Sequence, residues 1–87
     1  MSVYGVHKVL HRAQVDLDFR ERLRAEPAAS LDGFALTDDE RAALVAGDVA
    51  RLAQEGVHTF LLSRIPRFGL FGLDRDEYIR RMATLRG

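Results

Sequence analysis

Thr37-Asp38-Asp39-Glu40-Arg41-Ala42-Ala43-Leu44-Val45-Ala46-Gly47-Asp48 opens a helix, closes it and starts the next. Thr37 and Glu40 have capping-box spacing. The Thr37 hydroxyl can accept from the Glu40 amide, and the Glu40 carboxylate from the Thr37 amide. Asp38 and Asp39 place negative charge at the positive end of the helix dipole. Ala42, Ala43 and Leu44 propagate the helix well. Gly47 suits a left-handed C-terminal position, and Asp48 can cap the next helix.

The same punctuation extends both ways. Upstream, Val3, Val6, Leu10 and Ala13 recur at helical spacing. Asp16 can cap a second helix that puts Phe19 and Leu23 on one face, with Arg20, Arg22 and Arg24 on wetter sides. Pro27 ends that helix or begins a short turn through Ser30 and Leu31. Downstream, Val49, Leu52 and Ala53 share a face that ends near Gly56, and Val57, Phe60, Leu61 and Ile65 share another. Pro66 predicts a stop, because helices usually end before a proline. Arg67-Phe68-Gly69-Leu70-Phe71-Gly72-Leu73 reads as a loop, and Asp74 can cap a last helix bearing Tyr78, Ile79, Met82 and Leu85. No stretch alternates long enough for a strand. The expectation is one all-α domain over residues 1–87, a small compact bundle of five or six short helices. Its expected core is Val6, Leu10, Phe19, Leu23, Leu36, Leu44, Leu52, Phe60, Leu61, Ile79 and Met82.

Composition narrows function. Of 87 residues, 47% are apolar and 30% charged, which marks a globular chain. Lys+Arg and Asp+Glu balance at 13 each, so no net field draws the chain to nucleic acid or an anionic membrane. Lys8 is the sole lysine; the bias to arginine reflects either genome composition or a binding role. With no cysteine, disulfides, thiolate metal sites and cysteine nucleophiles are excluded. No apolar run reaches membrane-spanning length, and Met1-Ser2-Val3-Tyr4-Gly5 lacks the order of a signal peptide, so a cytoplasmic home is expected. A DNA-binding helix-turn-helix is disfavoured, because no helix is basic enough for recognition.

The ordered set Asp16, Pro27-Ala28-Ala29-Ser30-Leu31, Phe34 to Leu44, Gly47-Asp48-Val49-Ala50-Arg51-Leu52 and Gly56-Val57-His58-Thr59-Phe60-Leu61-Leu62 resembles the small (alpha) subunit family of protocatechuate 4,5-dioxygenase, the LigA-like subunits of extradiol ring-cleavage dioxygenases. The resemblance runs from about Val9 to Leu62. It implies a helical, non-catalytic subunit or accessory domain that docks on a LigB-like beta subunit and helps close its active site. It implies Fe(II) on that partner, held by two histidines and a carboxylate, and no cofactor on this chain. The alternative is a free-standing helical interaction module in a biosynthetic pathway, or a homo-oligomer.

No complete catalytic site is legible. His7 and His11 share a helix face at metal-binding spacing, yet lack the intervening glutamate and a third ligand, so solvated histidines are expected. His58 is read either as a turn or cap residue or as facing a partner's active site. Asp38, Asp39 and Glu40 are accounted for by capping, and Arg75, Arg80, Arg81 and Arg86 by a solvated face beside Asp74, Asp76 and Glu77. Phe68, Leu70 and Phe71 either fold over their own domain or, with Arg67, form a docking or lid segment beside His58.

Overall fold

The computed structural model describes residues 3–86 and bears out the capping signals. These residues hold seven α-helices, five of them of seven residues or more, and no strand. They are α1 (Tyr4–Val15), α2 (Leu17–Ala25), α3 (Pro27–Ser30), α4 (Asp38–Ala46), α5 (Val49–Gln54), α6 (Thr59–Phe68) and α7 (Arg75–Ala83). Short 3-10 turns cover Leu70–Gly72 and Thr84–Arg86. Asp16, Thr37, Asp48 and Asp74 each accept from a backbone N–H at the start of α2, α4, α5 and α7. Both halves of the capping box form: Glu40 N–H to Thr37 Oγ1 at 3.1 Å, and Thr37 N–H to Glu40 Oε1 at 2.9 Å. Gly47 ends α4 in the left-handed region at φ 70°.

α1 packs on α2 and α6, and α5 on α4 and α7. Together they enclose one apolar cluster in which Leu10, Leu23, Leu31, Leu44, Leu52, Leu62, Ile65 and Leu70 are fully buried. The shortest axis is 19 Å, about two helix diameters, so every helix keeps a solvent face. Among the described residues no helix is long and apolar enough to cross a membrane.

Arginines satisfy the carbonyls that helix C-termini leave free. Arg20 donates to the Ala13 and Gln14 carbonyls at 2.8 and 2.9 Å, and Arg24 to that of Phe68 at 3.2 Å. Arg41 donates to Ala28 at 2.6 Å, and Arg81 to Ala46 and Gly47 at 2.8 and 2.9 Å. The Arg20 fork spans two carbonyls, and each of the four brings a cation to the negative end of a dipole. Part of the arginine bias therefore serves the fold.

Three expectations need correction. α6 runs past Pro66 to Phe68. Pro66 lies in the last turn, where its missing N–H forfeits one bond, and left-handed Gly69 ends the helix by donating to Ile65 and Pro66. The expected core was misphased: Phe60 and Ile79 are 50% and 52% exposed, and Leu36, Leu61 and Met82 only half-buried. α6 turns Leu62 and Ile65 inward, while α7 lies at an edge with Tyr78, Arg81 and Met82 toward the body, which leaves Ile79 outside. Finally, residues 67–73 are not one loop. Arg67 and Phe68 finish α6, and Leu70, Phe71 and Leu73 are buried in this chain's own core. Phe71 holds φ 55° between left-handed Gly69 and Gly72. That conformation costs roughly 1–2 kcal/mol, which burying the ring offsets at about 1.5–3 kcal/mol.

Candidate functional site

α1 is amphipathic in an unusual sense. Val6, Val9, Leu10 and Ala13 face the core. The opposite stripe is Tyr4, His7, Lys8, His11, Arg12 and Val15, at i, i+3, i+4, i+7, i+8 and i+11. This stripe forms one wall of an open groove of about 1270 Å³. Phe19 and Arg22 of α2, the segment through Phe34 and Ala35, and His58, Phe60 and Leu61 at the start of α6 complete it. Gly5 lets the walls meet, because a Cβ there would collide with the Ala35 carbonyl oxygen.

The groove has an aromatic lining under cationic side chains. Lys8 Nζ lies 5.2 Å from the Tyr4 ring centre, and Arg12 lies 4.8 Å and Arg22 5.9 Å from that of Phe19. Phe19 meets Phe34 at 5.5 Å, and Arg64 lies 4.3 Å from the Phe60 ring centre. No aspartate or glutamate lines the groove. Asp16, outside the lining, bonds Arg12 at 3.3 Å. Its carboxyl is held below its ordinary value of 3.8 by the Phe19 N–H it accepts, with Arg12 adding to this and partial desolvation opposing it.

The three histidines gather here. The His58 N–H donates to His7 Nε2 at 3.1 Å, and the Phe60 N–H donates to His58 Nδ1 at 3.1 Å. His58 therefore caps α6 and ties it to α1, and both accepting nitrogens carry no proton in this arrangement. His11 lies exposed one turn beyond His7 on the same stripe. Among the described residues no group of three or more His, Cys, Asp or Glu side chains is placed to hold a metal.

Of the residues singled out for docking, only His58 lines the groove; Arg67, Phe68, Leu70 and Phe71 do not. Most of α6 lies between His58 and Arg67, nine positions apart or about 13 Å along the axis. Phe68 is taken up by Arg20, whose guanidinium lies 3.8 Å from its ring centre. Lys8, Arg12, Val15, Arg22 and Phe34 escaped the sequence reading of the site. The six-residue stripe on α1 was the signal for Lys8, Arg12 and Val15, readable once the buried face was known, whereas Arg22 and Phe34 lie on other segments.

A family model described as "Aromatic-ring-opening dioxygenase LigAB, LigA subunit" matches residues 6–84. The match passes both ends of the stretch that carried the resemblance. No curated protein and no solved structure matches the chain.

Proposed function

Because the chain belongs to the LigA subunit family of aromatic-ring-opening dioxygenases LigAB, we propose that it is a non-catalytic small subunit that docks on a LigB-like catalytic subunit and helps close its active site. The family match over residues 6–84 carries this reading. In this reading the Fe(II) lies on the partner subunit. One feature of the fold supports docking. The groove leaves Tyr4, Val15 and Phe60 half or more exposed in a thin domain, as a surface built for a partner would. With Leu70 and Phe71 buried, docking falls to the His58 end of α6 and the α1 stripe rather than to residues 67–73.

The test is oxygen uptake on a catechol carboxylate by an iron-loaded LigB-type subunit of the same organism, with and without this chain. Added chain should raise turnover about tenfold or more, equivalent to ~1.4 kcal/mol in the barrier. No change in turnover would contradict the assignment and leave the free-standing interaction module as the better reading.

A further inference from the structure

We propose that the groove along α1 receives an acidic amphipathic helix of the partner. The inference rests on the subunit reading and adds the chemistry of the contact. Charge is the first argument. In a chain whose charges balance, the groove lining holds Lys8, Arg12 and Arg22 and not one carboxylate. Arg12 has Asp16 beside it, but no ion pair engages Lys8 or Arg22 among the described residues. Asp16 at the groove's edge acts on Arg12 and Arg22, and an occupant with carboxylates on its flanks adds partners that the lining itself does not hold.

Shape is the second argument. The stripe from Tyr4 to Val15 is about 16 Å long, which matches three turns of a docked helix. Val15 at one end is 67% exposed and Phe60 across the groove is 50% exposed. They offer apolar anchors for side chains at i, i+3, i+4 and i+7. The described residues present no sheet edge that could capture an extended peptide by backbone bonding. The groove is also too open and too large to enclose one small aromatic acid.

Other occupants fit less well. A second copy of this chain, docked by a two-fold axis through the groove, would set Lys8, Arg12 and Arg22 against their own images. A nucleic acid would meet few fixed cations and would gain little from Val15 and Phe60.

Fluorescence anisotropy tests the proposal, with the whole chain titrated into labelled helical peptides. One carries leucines at i, i+3, i+4 and i+7 flanked by glutamates. The second replaces each glutamate with lysine, and a single-stranded oligonucleotide is the third probe. The acidic peptide should bind at least about tenfold more tightly than either other probe, and should weaken as salt rises. The exposed double reversal Lys8→Glu/Arg22→Glu should abolish that preference, with circular dichroism verifying an unchanged fold. Equal affinity for the lysine peptide, tighter binding of the oligonucleotide, self-association at the groove, or an unaffected double reversal would each overturn the proposal. The intact LigB-type subunit separates the two readings. If it binds wild type and the double reversal alike, the groove inference fails and the subunit reading survives. If the acidic peptide binds and the subunit does not, the subunit reading fails.

Discussion

Single residues show where local chemistry suffices and where it does not. Asp16, Thr37, Asp48 and Asp74 were legible as caps, because a cap needs only a short acceptor two or three residues before a free N–H. His58 was ambiguous for a physical reason: its backbone N–H finds His7, 51 positions away, and no local pattern encodes that bond. Asp16 supports a prediction in acid. Its carboxyl is held below 3.8, first by the Phe19 N–H and then by Arg12. A depressed folded value means its contribution to stability is complete above the ordinary carboxylate range. It is lost as pH falls through the folded value. Asp16→Asn keeps a capping oxygen and removes the titration. The stability gap between the two proteins should hold steady above about pH 5 and close below the ordinary Asp value of roughly 3.9. Chemical denaturation across that range measures it, and a gap independent of pH down to acid unfolding would contradict the assigned contacts.

At the scale of elements, the type of the helices and most of their starts followed from caps and periodicity, whereas their phase did not. Phe60 and Leu61 share a run with Leu62, and only packing against α1 decides that Leu62 and Ile65 turn inward. Pro66 shows a strong local rule yielding to position, since a proline one turn from a left-handed glycine costs a single backbone bond. The glycine-flanked Leu70–Gly72 turn had two readings, docking segment or core, and burial of Leu70 and Phe71 supports the second. Phe71→Ala should therefore destabilise the isolated chain by about 3 kcal/mol or more. It should leave partner affinity, measured well below the lowered melting midpoint, within about threefold of wild type. A variant of undiminished midpoint that has lost its partner would return the turn to the interface.

For the whole molecule, neutral net charge hides a segregated surface. Four arginines close helix C-termini, others pair with carboxylates, and the groove collects cations without acids. Composition could not reveal this, because it counts charges and the fold places them. The proposed docking of this LigA family member on a catalytic subunit through the α1 groove is tested by hydrogen–deuterium exchange. The chain is measured alone and then saturated with an iron-loaded LigB-type subunit of the same organism. Exchange should slow in residues 4–15 and 58–61 and stay unchanged in residues 70–73. Exchange unaltered throughout, or slowed only around residues 67–73, would contradict docking through the groove.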